Sequence, residues 1–344
     1  MRANPRHGSR RPVLGPQGAD AATDAVWPPL TRRAAIATGA VAALSGLSWP
    51  AGAQAGPLPV SEVAPGHFVH YGAHQMTDAG NAGDIANCGF VVGRSGVAVI
   101  DSGGSPAVGR RLLQAVRRTT DRPIRYLINT HMHPDHVFGN VALRTAGDDG
   151  AVAIVGHARL EAALRARSDT YLGQLKARVG PTAAKRARFY QTDIAVEATR
   201  QLDLGDRTLE LTAWPTAHTN NDLSVLDPTT GTFWAGDLVF RTRVPAVDGS
   251  VLGWLDVLER LRARPASTIL PGHGRAASSW AAALDDQQRY LRALVSGVRA
   301  VLDDFGTIEQ AVATAGRSEA GRWALFEQYH ARNVTTAYAE LEWN

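Results

Sequence analysis

The chain has 344 residues, 44% of them hydrophobic and 20% charged, a composition ordinary for a globular protein and long enough for one large core or two. Its formal charge of +4 arises entirely in residues 1–55, which carry six Arg and two Asp; the balanced remainder excludes an electrostatic case for nucleic-acid binding. A single cysteine, Cys88, excludes an internal disulfide.

Residues 1–30 are rich in Arg, Pro and Gly without periodicity and read as disordered. Thr31-Arg32-Arg33 then precedes a mildly apolar run, 34–47, which Trp49-Pro50 breaks before the small residues 51–55. An Arg pair, a short apolar core and a small-residue cleavage site make an export signal of the twin-arginine type, predicting a periplasmic protein that crosses the membrane already folded. The apolar run is too short to span a bilayer, so no stable membrane insertion is expected.

After the signal, residues 67–71, 88–93 and 97–101 read as strands separated by Gly-rich turns. The spacing of Val108, Leu112, Leu113 and Val116 predicts a helix over 105–119. Residues 124–130 form a further strand, 151–155 another, and 161–179 a helix with an Arg-bearing exposed face. In the second half, 207–214 is strand-like and runs into His218. Segments 223–226 and 232–235 are short strands, the latter ending at Gly236-Asp237. Ser250 N-caps a helix through Arg262, and strand 268–270 ends at Pro271-Gly272-His273-Gly274. From Ala277 onward the chain is mostly helical, with Trp280 and Trp323 as core anchors. Mixed strands and helices in both halves imply two packed sheets with helices outside.

Potential ligands thus gather at strand ends. Three of the 11 histidines, His131, His133 and His136, fall in the run Asn129 to Asn140, NTHMHPDHVFGN. In an extended chain His131 and His133 point the same way and can grip one cation. Pro134 turns the chain, so Asp135 and His136 face elsewhere and could hold a second. A histidine-rich turn without metal would not require the further candidates His218, Asp237 and His273 downstream.

This ordered set, His131-x-His133-x-Asp135-His136, then His218, Gly236-Asp237 and Gly272-His273-Gly274, resembles the metallo-β-lactamase fold superfamily over about residues 57–275. Val99-Ile100-Asp101-Ser102-Gly103 looks like that family's early Asp motif, which braces the ligand loop. The resemblance implies a four-layer αββα sandwich with the site at one edge and extra C-terminal helices: an export segment 1–55, a hydrolase domain 56–276 and a helical extension 277–344 packed on it. It implies His131, His133 and His218 on a first metal, Asp135, His136 and His273 on a second, and Asp237 bridging them, with Asp135 and Asp237 as the candidate catalytic carboxylates. Best-known metallo-β-lactamases carry a Cys where this chain has Asp237. A bridging Asp is the glyoxalase II and general hydrolase pattern, which points away from antibiotic hydrolysis. Residues 81–90, His70-Tyr71-Gly72-x-His74 and Asp248-Gly249-Ser250-x-x-Gly253-Trp254-Leu255 look like exported zinc metallohydrolases associated with quinoprotein dehydrogenase relays and sulfur-oxidation clusters, so a periplasmic partner of that kind is an expectation.

Five neutral imidazoles and two carboxylates suit Zn²⁺, two per chain, though Fe or Mn also fits N/O donors. Two cations about 3.5–4 Å apart can share a hydroxide for attack on an ester, thioester, lactone or lactam-type carbonyl of a small molecule. Two alternatives share the fold: a mononuclear iron sulfur-dioxygenase using two His and one Asp, against which the complete second set argues, and a non-catalytic metal-binding partner. Weaker candidates are His70 and His74 for shaping the pocket, Asp222 beside Asn220 and Asn221 for bracing a ligand, and Arg241 and Arg243 for an anionic substrate, although solvated surface arginines are the blander reading. His157 reads as structural, His330 lacks ligand-like context, and Cys88 sits in an apolar strand.

Overall fold

The structure, a computed structural model, describes residues 56–147, 150 and 152–343; the stretch 1–55, expected to be an export signal, lies outside the described residues. Strands β1 (Ser61–Ala64), β2 (His67–His70), β3 (Cys88–Gly93) and β4 (Gly96–Ile100) form an antiparallel run. All five residues of β4 are buried, as its unbroken apolar sequence requires of a strand covered on both faces. Helix α1 (Pro106–Thr119) starts where Ser105 accepts a hydrogen bond from Val108 N and Pro106 takes the first turn. Next come β5 (Ile124–Ile128), the short helices α2 (Pro134–Val137) and α3 (Asn140–Arg144), β6 (Ala153–His157), α4 (Leu160–Arg178), α5 (Pro181–Arg186) and β7 (Ile194–Val196). From β4 to β7 the ladder is parallel, giving a mixed seven-stranded sheet in the order β1 to β7.

The second sheet comprises β8 (Thr199–Asp203), β9 (Thr208–Ala213), β10 (Leu223–Asp227), β11 (Thr232–Phe240) and, after α6 (Val251–Arg262), β12 (Thr268–His273), in the order β12-β11-β10-β9-β8. Helices α7 (Trp280–Asp303), α8 (Ile308–Thr314) and α9 (Phe326–Leu341) complete the chain. The inner faces meet in one core in which Val69, Val91, Ile100 and Ile128 of the first sheet pack with Leu209, Leu211, Val225 and Trp234 of the second. Val108, Leu112 and Val116 of α1 cover the outer face of the first sheet against Phe90, Val99 and Leu127. On the second, Trp280 meets Phe233 edge-on at 5.1 Å and the Trp254 indole N–H donates to Leu238 O at 3.0 Å. The layers are therefore α/β/β/α, with extra helices at the C-terminus, and Trp280 and Trp323 are both buried.

Two strand ends differ from the sequence reading. β11 runs through Gly236-Asp237 to Phe240, and β12 through Pro271-Gly272 to His273. Gly and Pro are local strand breakers, but here the two strands are parallel neighbours whose register skips on either side of Gly236. Gly236 takes φ +54°, and a Cβ there would lie 2.7 Å from the Thr130 side chain. Asp237 is thus delivered from a bulge inside a strand, not from a strand end.

Candidate metal centre

The end of β4 supplies the scaffold for the first histidines. Asp101 sits in the left-handed region, φ +54°, and is 2% exposed. Its Oδ1 accepts from Thr130 N at 2.8 Å; its Oδ2 accepts from the Thr130 hydroxyl and from His136 Nδ1, each at 2.8 Å. One carboxylate therefore fixes both the strand exit that carries His131 and the short helix that carries His136. Asn87 ties down the last motif, its side-chain amide donating to Pro271 O and Gly274 O at 2.8 and 2.7 Å.

The seven sequence candidates converge. His131, His133, His218 and Asp237 present donor atoms within 4.8 Å of one another, and Asp135, His136 and His273 form a second such group. Asp237 spans both: its Oδ2 lies 3.4 Å from Nε2 of His218 and of His273, and its Oδ1 lies 3.2 Å from His136 Nε2. His273 Nε2 is 3.4 Å from Asp135.

The outward partners of the five imidazoles set which nitrogen is free. His131 Nδ1 is 3.0 Å from Thr130 Oγ1, whose own proton goes to Asp101, so His131 donates outward. His136 Nδ1 donates to Asp101, His218 Nδ1 to Ala246 O at 2.6 Å, His273 Nδ1 to Ile85 O at 2.8 Å, and His133 Nε2 to Asp248 at 2.8 Å. Every ring therefore turns its other nitrogen inward, and that nitrogen is free of a proton wherever the imidazole is neutral. His133 Nδ1 and His218 Nε2 consequently face each other as two lone pairs 3.0 Å apart, an arrangement that needs a positive charge between them. His131 Nε2, His136 Nε2 and Asp237 Oδ1 are buried without a hydrogen-bond partner. Unpaired buried acceptors are costly, and a cation in each donor group would satisfy all three. The donors fit a metal pair.

The electrostatics agree. Burial lowers the pKa of His131, takes that of His218 to about 3 and, with the Arg243 charge, lowers that of His273, which favours neutral ligands. Burial would lower His136 as well, but Asp237, Asp101 and Asp135 outweigh it and push this pKa well up: the carboxylates demand a positive charge at that spot. Burial opposes ionisation of Asp237 and Asp135, yet the surrounding histidines hold both carboxylates ionised.

The weaker candidates separate. His70 is buried and bound to Pro59 O and Asp84, a structural role. His74 stands near the centre: burial and the charges of His273 and Arg243 lower its pKa, and its Nδ1 is buried without a partner. Asp222 holds no ligand directly; it accepts from the Thr219 backbone and hydroxyl, fixing the turn after His218, and burial raises its pKa to about 8. Asn221 is buried in the same turn. Arg241 binds Arg275 O and Ala276 O. Arg243 is not a solvated surface residue: it is 3% exposed, its guanidinium 3.1 Å from His273 and 2.6 Å from the Tyr329 hydroxyl. His157 accepts from Arg159 N, His330 packs on Phe326 at 4.1 Å, and Cys88 is buried outside both donor groups.

Asp248 is the functional residue the motif reading left without a role. It accepts from His133, from Arg167 at 2.5 Å and from Arg332 at 2.7 Å. Burial opposes its ionisation, but the His133 hydrogen bond and the two guanidinium groups hold its pKa far below the carboxylate range. A carboxylate 30 or more residues beyond the last histidine of its group gives no sequence signal of which ring it touches.

The sequence model of the metallo-beta-lactamase superfamily matches residues 82–273, more than half the chain, and that of a domain of unknown function matches 273–315. No curated protein matches. Among solved structures, a metallo-beta-lactamase from Pontibacter korlensis is 18% identical with TM-score 0.55, the alignment covering 68% of this chain and 99% of that one. A beta-lactamase domain protein from Burkholderia ambifaria is 18% identical with TM-score 0.62, covering 83% and 87%. A stereoselective inverting sec-alkylsulfatase from Pseudomonas sp. is 16% identical with TM-score 0.63, covering 82% of this chain and 50% of that one. These structural likenesses concern the fold.

Proposed function

The chain belongs to the metallo-beta-lactamase superfamily, and from that premise we propose that it is a metal-dependent hydrolase holding two divalent cations, zinc by preference, and cleaving an ester, thioester, lactone or lactam-type bond of a small molecule. The observation that carries this reading is the pair of complete donor groups joined by Asp237, with five imidazoles all turning one ring nitrogen inward. A single-iron centre would leave the group of Asp135, His136 and His273 without a task.

When bound, the cations would supply Lewis acidity and bring a water's pKa to ~7, so that a nucleophile exists at neutral pH. The chain's own residues then have distinct work. Asp101, Thr130, Asp248 and the Ala246 and Ile85 carbonyls orient the rings, so each turns one nitrogen toward the cations; His136, whose pKa the carboxylates raise, would give up a proton when a cation takes its place. Asp135 is ionised and, at 15% side-chain exposure, the most open of the clustered carboxylates, which makes it the candidate proton acceptor. Arg243 adds a fixed positive charge beside His273, favouring negative charge developed in the transition state. The Arg32-Arg33 export signal supports a periplasmic location, and the motifs around residues 70–90 and 248–255 support a partner in a quinoprotein dehydrogenase or sulfur-oxidation system.

Metal content measured with turnover of a lactone, thioester and lactam panel tests this reading. Two zinc ions per chain with hydrolysis of a panel member is the expected result. His133→Ala should remain folded and lose both metal occupancy and turnover. One iron per chain with no hydrolysis, or an active His133→Ala, would overturn it.

A further inference from the structure

Three side chains on one face of α9 reach the metal centre, each through one intermediary. Arg332 donates to Asp248 Oδ1 at 2.7 Å, and Asp248 accepts from His133 Nε2. Asn333, fully buried, donates to Pro245 O at 2.6 Å and accepts from Val247 N at 2.9 Å; Ala246, held between these two contacts, accepts the proton of His218 Nδ1. The Tyr329 hydroxyl lies 2.6 Å from the guanidinium of Arg243, which lies 3.1 Å from His273. Two turns further along, Glu340 accepts from Ser250 Oγ at 2.5 Å and Val251 N at 2.6 Å, closing the far end of the same segment. Positions 329, 332, 333 and 340 follow helical spacing, so a single face carries the stripe, while Phe326, Val334, Ala337 and Leu341 bury the adjoining face of α9. An Asn buried with both ends of its amide engaged is a directional contact that apolar packing would not require.

We infer that α9 is a positioning element of the metal centre: through the loop 245–252 it sets the orientation and tautomer of His133 and His218, and through Arg243 it flanks His273. The α9 side chains lie beyond the 82–273 segment that the family's sequence model matches. Asp248 is the hinge of the device. Its charge is balanced from two directions, by Arg167 of α4 and Arg332 of α9, and its backbone N–H donates to His218 O at 3.0 Å. With either arginine removed, the carboxylate can swing toward the remaining one, and the hold on His133 Nε2 loosens.

The inference rests on the metal-centre reading, and the experiment separates the two. Full-length Arg332→Gln, Arg332→Lys and the double variant Arg167→Gln/Arg332→Gln are compared with wild type by chelator competition for zinc, by the visible spectrum of the cobalt-loaded protein, and by nitrogen NMR of the His133 tautomer in metal-free protein. Arg332→Gln should bind one of its two cations ten- to a hundredfold more weakly, with a changed cobalt spectrum, mixed His133 tautomers and a metal-free melting curve close to wild type. Arg332→Lys should recover part of the loss, and the double variant should lose more. If Arg332→Gln keeps wild-type zinc affinity, cobalt spectrum and tautomer, α9 does not position the site; should the double variant fail to fold, the single variant decides. If His133→Ala also binds both cations normally, the ligand assignment itself has failed.

Discussion

Asp101→Asn is the sharpest test of how the centre is held. The backbone tolerates the change, because Asn is among the few residues at ease at positive φ, and Asp101 sits at +54°. The hydrogen bonding does not. Asp101 receives three donors: Thr130 N on Oδ1, and the Thr130 hydroxyl and His136 Nδ1 on Oδ2. An Asn that keeps its oxygen toward Thr130 N turns its NH₂ toward two groups that are themselves donating. The conflict resolves only if the Thr130 hydroxyl rotates toward His131 and the His136 proton moves to Nε2, placing protons on the inward nitrogens that should be free. Two charge-assisted hydrogen bonds at about 1.5–3 kcal/mol each give a loss of about 3–6 kcal/mol, a large fraction of the ~5–15 kcal/mol that stabilises a typical domain. Affinity for the cation held by His136 should fall roughly ten- to a hundredfold. Urea unfolding of the metal-free protein and chelator competition measure the two effects. A variant unfolding within about 1 kcal/mol of wild type, with both cations held at wild-type affinity, would refute the bracing role.

Two further outcomes follow from other parts of the molecule. A Cβ at Gly272 would collide with Asp237 Oδ1 and approach Gly236 C and Asp237 N at 2.8 and 2.9 Å; Gly272→Ala should displace Asp237 and cut turnover about a hundredfold, and unaltered kinetics would show that Asp237 does not need its place. Away from the site, burial would raise the pKa of Asp227, but the hydrogen bonds from His67 and Thr229 N and the charges of His67 and Arg207 bring it down to about 2. Because the folded value is depressed, its stabilisation, about 2.6 kcal/mol against an unfolded pKa near ~3.9, is complete above that value and disappears as pH falls toward ~2. The part of the stability gap between metal-free wild type and Asp227→Asn that comes from this carboxylate should therefore vanish as pH falls from about 4 toward ~2; a gap that does not narrow over that range contradicts the assignment.

How much was legible without coordinates follows from the range of each interaction. The apolar runs of β3 to β5, the helical spacing over 105–119, the Ser250 cap and the order of the seven candidate ligands are written in local patterns, because a strand's face and a helix's start are decided by neighbours within a few residues. The Asp101 motif was likewise readable, since it lies one strand from the ligands it braces. The true reach of β11 and β12 was not: Gly236 and Gly272 look like strand breakers, and only their parallel pairing and the crowding against Thr130 and Asp237 show why glycine stands inside a strand. Arg243 looked like a surface arginine because burial depends on α9, some 90 residues away, folding back over it. Asp248 likewise acquires its role only when the loop 245–252 is pressed between α4, α9 and His133. Sequence thus determined which atoms are available to bind a cation. Packing of distant segments decided which nitrogen of each histidine carries its proton and which charges surround it, because both depend on partners that no local pattern specifies.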